Sequence, residues 1–201
     1  MTRYLYDGTS EGLLSAAARI IAEDAEPGSA VLSVRENSLF EEGLYTVTDP
    51  QVAEAFFFRL RRTAPEAASV LCFFLLSERM GMESALLRYL VQAFRYGDRV
   101  NGNLADTAVR DVVTVSHKVS RELHRMKGLL RFEKLRDGAY LARMEPDHNI
   151  IQPLSVHFSK WLQGRRLVYL RCQAAYGCPV AQRSAFARFH RTVYRSGAFR
   201  R

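Results

Sequence analysis

Residues 148–201 contain no aspartate or glutamate. Ten basic residues stand there: Lys160, Arg165, Arg166, Arg171, Arg183, Arg188, Arg191, Arg195, Arg200 and Arg201. Lysine is also scarce, at four of the 29 basic residues, the other 25 being arginine. The planar arginine fork suits phosphate better than a point charge does. Coding bias in a GC-rich genome explains the preference for arginine equally well, but not the missing acids. Cysteine occurs three times. Cys72 sits in an apolar run and reads as a buried thiol, and Cys172 and Cys178 are six apart, a spacing that matches no common zinc motif. An odd cysteine count without a signal-peptide pattern leads us to expect a reducing, cytoplasmic setting. The longest apolar stretch, residues 67–76, is broken at Ser69 and is too short to cross a membrane. No glycine-rich phosphate loop, dinucleotide fingerprint, Gly-x-Ser-x-Gly elbow or His-Glu-x-x-His motif is present, and no metal site or cofactor is expected.

What remains is an ordinary globular balance, 48% hydrophobic and 25% charged in 201 residues, with a net charge of +8. A polyanionic partner fits that charge. Residues 1–147 sum to −2, so the basic character is concentrated behind them.

Tyr4-Leu5-Tyr6 predicts a short strand closed by Asp7-Gly8-Thr9, with Thr9 or Ser10 capping a helix to about Ile21. Two further strands are expected at 31–34 and 45–48. From Asp49-Pro50 the apolar period becomes helical, with Pro65 opening a second helix of this run and Gly97 stopping a third. Asp106 caps a long helix to about Met126 whose apolar stripe is Val112, Val115, Val119, Leu123 and Met126. At about 100° per residue, Arg110, His117, Arg121 and His124 fall opposite that stripe, flanked by Thr114, Lys118 and Arg125. This face reads either as a solvated polar surface or as a phosphate-facing ridge; only Asp111 and Glu122 are acidic behind the cap, and neither lies in the ridge.

Asp137-Gly138 predicts a two-residue hairpin turn pairing Arg136 with Ala139 and Leu135 with Tyr140, with strands reaching back to Leu129 and on to Glu145. Arg131 is then either paired with Glu133 or aimed at a site. A helix follows from about Ile150 to Gln163, burying Ile150, Leu154, Phe158 and Trp161 with His157 beside them. Leu167–Leu170 reads as a strand, and 185–194 as a short final helix before a fraying end. Strands that bracket a run of helices predict an α+β fold: a helical cluster, about 49–126, packed on a small, mainly antiparallel sheet. We expect one domain over 1–170 and a basic, partly ordered C-terminal segment over 171–201.

Two clusters carry the candidate chemistry: Glu122-Leu-His124-Arg125-Met-Lys127-Gly128 with Arg131-Phe132, and Glu145-Pro146-Asp147-His148-Asn149 with His157-Phe158. Together they resemble the core pattern of a bacterial family of probable DNA-metabolism or DNA-repair proteins, and Tyr4–Thr9 with Glu11-Gly12-Leu13 is similar to that family's opening. The pattern departs at Leu129, where the family has an aromatic, and at Arg171, near which it has an aspartate. The resemblance implies a place beside a radical-SAM DNA-repair protein or a uracil-DNA-glycosylase-like partner.

Three functions follow. A DNA-binding accessory would use Arg110, His117, Arg121, Arg125, Lys127, Arg131, Arg165 and Arg166, with aromatics such as Phe186, Phe189, Tyr194 and Phe199 stacking on bases. A hydrolase or base-processing enzyme would use His124, Asp147, His148 and His157 for acid/base work, although His157 also reads as a core histidine and Asp147 as a helix cap. A protein-interaction scaffold would meet an acidic partner. DNA is the expected partner, and a membrane is not.

Overall fold

The computed structural model describes residues 2–23, 29–35, 42–162 and 164–172. The chain forms two compact units, 1–75 with 79–116 and 76–78 with 117–201. The expected helix at 185–194 and the aromatics behind Arg171 lie outside the described residues, as does Cys178.

The first unit opens with strand β1 (Thr2–Tyr6), helix α1 (Ser10–Ala22) and strand β2 (Ala30–Val34). β2 pairs with β1 in parallel, and the short β3 (Leu44–Tyr45) pairs in parallel on the other side of β1. The turn between β1 and α1 explains the opening residues. Asp7 accepts hydrogen bonds from the Thr9 N–H and hydroxyl and from the Thr48 hydroxyl, and Thr9 caps α1 by accepting from the Gly12 N–H. Burial opposes the ionised Asp7, but the bonds from Thr48 and Thr9 outweigh it and hold the carboxyl below its ordinary range. A Cβ at Gly12 would overlap the Asp7 carboxylate and crowd the Thr48 hydroxyl, so any larger residue here must displace the hydrogen bonds that Asp7 accepts.

Helices α2 (Pro50–Thr63), α3 (Pro65–Leu75) and α4 (Glu83–Tyr96) follow, then a 3-10 turn (Gly97–Gly102). Asp49 caps α2 through the Gln51 and Val52 N–H groups, with proline at the start of the helix as the sequence predicts. α3 is capped from a distance: Asp98 accepts from the N–H groups of Glu66 and Ala67. Leu14, Ile20, Phe57, Leu60, Leu71, Leu86, Tyr89 and Leu90 are fully buried in this unit. Helix α5 (Thr107–Leu129) is capped by Asp106, and its residues 107–116 belong to this unit.

The second unit contains residues 117–129 of α5, strands β4 (Glu133–Lys134) and β5 (Tyr140–Met144), helix α6 (Ile151–Trp161) and strand β6 (Leu167–Arg171). β4 and β5 are antiparallel, whereas β5 and β6 are parallel.

The chain is mixed α and β with its helices largely consecutive, but the antiparallel expectation holds only for the β4–β5 pair. The strands form two sheets, β2-β1-β3 and β4-β5-β6, and the first is parallel throughout. Its β1–α1–β2 passage returns the chain by a helix, which a parallel pair requires.

The hairpin register also differs by one residue. Leu135 bonds to Ala139, not Tyr140, so the loop holds Arg136, Asp137 and Gly138. Gly138 takes the left-handed conformation at the third loop position (φ +81°), and Asp137 accepts from the Ala139 N–H. A three-residue loop of this kind replaces the tight turn. A one-residue shift exchanges the faces of one strand. The first strand is also short, because α5 runs on to Leu129.

Candidate nucleic-acid interface

The chain's net positive charge comes from the second unit. It holds 18 Lys and Arg against six Asp and Glu, a net +12, while the first unit holds 11 against 15, a net −4.

Its exposed face is built on α5. Val119 and Leu123 are buried, as are Val112 and Val115 earlier in the helix, whereas Met126 is only half-buried. This stripe fixes the helix by its apolar side. His117, Lys118, Arg121, His124 and Arg125 are all exposed. Arg121 donates only to the His117 carbonyl, and among the described residues none of the five meets a carboxylate. Arg110 is exposed as well, but it lies in the first unit and is left out of this face.

The acid expected nearest the ridge, Glu122, turns inward. It is 4% exposed, its Oε1 accepts from the Asp147 N–H at 2.6 Å, and its Oε2 lies 2.5 Å from His148 Nδ1. A carboxylate only accepts, so His148 presents its proton at Nδ1, and Nε2 has no partner among the described residues. The next residue extends the network. Asn149 donates its backbone N–H to the Leu76 carbonyl and its side-chain amide to Glu78, whose other oxygen lies 3.4 Å from Arg171 Nη1. Glu78 adopts φ +52°, an uncommon conformation for a residue with a Cβ. Arg171 is buried, and its Nε finds no partner among the described residues.

The other expected site residues separate. Arg131 does not pair with Glu133: it is exposed and donates through Nη1 to the carbonyls of Gly128 and Leu130, at the C-terminal end of α5. Arg166 is exposed but paired with Asp137, while Arg165 lines an open cleft of about 430 Å³ with Ser155, Ser159 and Tyr169. Burial pushes the Tyr169 hydroxyl up to about 12. Lys127 is half-buried. Asp147 does not cap α6, since Ile150 stands at the cap position without a side-chain bond. Instead the backbone of Asp147 is held by Glu122 and its side chain is exposed.

Of the four acid/base candidates, only Asp147 and His148 share a partner. His124 is exposed without a hydrogen bond among the described residues, and His157 lies in a group of aromatic rings. Among the described residues no three His, Cys, Asp or Glu side chains are grouped to hold a metal ion, and no helix there is long and apolar enough to cross a membrane.

Sequence reading missed Trp161 and the inward role of Glu122. Trp161 has the helical phase of buried Leu154, but it is the last residue of α6 and is 76% exposed, because burial on this helix is confined to its first turns. The termination signal, Gly164 just behind it, was available.

The structure thus defines a mixed α and β chain whose second unit presents a basic face. Residues 80–198, more than half of the chain, match the model of a family described as a domain of unknown function, DUF4130, and the protein belongs to that family. The ridge from His117 to Arg125, the Glu122–His148 pair and Trp161 all fall within the matched residues. Neither the curated proteins nor the solved structures compared give a match.

Proposed function

We propose that the second unit binds DNA through the ridge on α5, with little sequence preference, and that the protein works in DNA repair or metabolism beside a partner enzyme. The observation that carries this reading is the exposure of His117, Lys118, Arg121, His124 and Arg125 on one stretch of helix, residues 117–125, whose single acid, Glu122, is turned into the interior. Such a face offers phosphate several cations without a competing carboxylate, and phosphate contacts position a protein on DNA without reading its sequence. The basic residues behind Arg171 add to the same charge. The resemblance of the middle motifs supports a radical-SAM or uracil-DNA-glycosylase-like partner.

The test is fluorescence anisotropy with labelled single- and double-stranded oligonucleotides across a salt series. Affinity should fall linearly on a log–log plot as salt rises. Arg121→Glu with Arg125→Glu should weaken binding about tenfold or more on every sequence and flatten the salt slope by roughly two. Absence of binding at low salt, or binding indifferent to salt, removes the reading.

A second reading, an acid/base enzyme, is favoured by one observation: buried Glu122 fixes His148 through Nδ1 in the manner of an oriented general base. On that reading His148→Gln abolishes turnover of a labelled oligonucleotide and leaves ridge binding intact. Equal turnover by the variant excludes it.

A further inference from the structure

Trp161 is the chain's single tryptophan, and it stands 76% exposed at the end of α6. It is not a loose side chain on a bare surface. One turn back, the His157 ring lies 6.3 Å from it, and His157 meets Phe158 edge-on at 5.0 Å. Phe158 packs edge-on against Phe132 at 5.1 Å, and Phe132 against Tyr169 of β6 at 5.7 Å. Five rings therefore run in sequence from the sheet to the surface, with the indole at the outer end. The inner four are half-buried and hold the series in place.

The surroundings are cationic. Lys160 precedes Trp161 directly in the chain and is exposed, and burial first, then the charges of Lys127 and Lys160, push the neighbouring His157 imidazole below its ordinary value. α6 itself contains no acid, and none follows it in the chain. An exposed indole at the end of such a series of rings, with positive charge beside it, matches an unpaired base with its phosphates. It does not match a duplex, whose base faces are covered by their neighbours.

We propose that Trp161 is a stacking platform for a base of single-stranded nucleic acid, with Lys127 and Lys160 taking the adjoining phosphates. The proposal rests on the nucleic-acid reading of the second unit and adds the strand state that the ridge alone does not specify.

A single tryptophan makes the test direct. The full chain is titrated at low salt with an oligothymidylate of about a dozen nucleotides and with the same strand in a blunt duplex, following tryptophan emission, with anisotropy of labelled strands in parallel. The single strand should quench the emission strongly and the duplex should not. Trp161→Ala should lose about tenfold in single-strand affinity and nothing for duplex, while Trp161→Phe keeps most of the binding.

Equal quenching by duplex overturns the proposal, and so does unchanged single-strand affinity in the alanine variant. Emission of the free protein that is already blue-shifted and shielded from acrylamide shows the indole covered by another part of the chain or by a second copy, and overturns it as well. If neither strand form binds by anisotropy, the ridge reading fails first, and the two failures are told apart.

Discussion

Glu122→Ala should destabilise the second unit by about 3 kcal/mol, read as a fall in the urea midpoint of its unfolding. The side chain is 4% exposed and satisfies two donors, the Asp147 N–H and His148 Nδ1. Alanine removes both acceptors, and water reaches this position poorly. Each stranded donor costs about 1–3 kcal/mol. Glu122→Gln separates acceptor loss from loss of volume. Glutamine keeps one acceptor oxygen for the Asp147 N–H and presents an amide donor in place of the other, so His148 is satisfied only at the cost of a change of tautomer. Its cost should be about half that of alanine, and the imidazole should respond by moving its proton from Nδ1 to Nε2. Nitrogen chemical shifts of the His148 ring report that tautomer directly. An unchanged tautomer in the glutamine variant would show that Glu122 does not orient the ring.

The sequence exposes some of this and hides the rest for identifiable reasons. Helix starts were readable because they depend on adjacent residues: Thr9 before α1, Asp49-Pro50 before α2, and Asp106 before α5 all act within three positions of themselves. The two faces of α5 were readable because a 3.6-residue period places side chains without reference to neighbours. Strand pairing was not. Asp137-Gly138 marks a turn, but whether the glycine sits second or third in the loop is decided by the bonds around Ala139, and that moves the register by one. The parallel pairings of β1 with β2 and β3 and of β5 with β6 depend on how intervening helices return the chain, which no local pattern encodes. In the site, charge placement was legible because it needs only counting. The inward turn of Glu122 was not, since its partners lie 25 and 26 residues away. Trp161 failed for a related reason: phase tells which way a side chain points, but not whether anything is there to cover it.

Two substitutions placed two residues apart on α5 should have opposite consequences. Val119→Asp should cost about 4 kcal/mol or more, because Val119 is fully buried in the apolar stripe and the new carboxylate would have no partner there. Arg121→Glu should change stability by no more than about 0.5 kcal/mol, since its side chain is exposed and bonds only to the His117 carbonyl. In nucleic-acid binding the order reverses. Folded Arg121→Glu protein should bind weakly at low salt. Val119→Asp protein, in the fraction still folded at low temperature, should bind as the unaltered chain does, because the ridge is untouched. Thermal unfolding followed by circular dichroism and anisotropy at matched folded fractions measure the two quantities separately. A large loss of stability in Arg121→Glu would mean that the ridge is part of the scaffold rather than a surface for phosphate. A tolerated aspartate at position 119 would mean that α5 is rotated from the phase its apolar stripe defines.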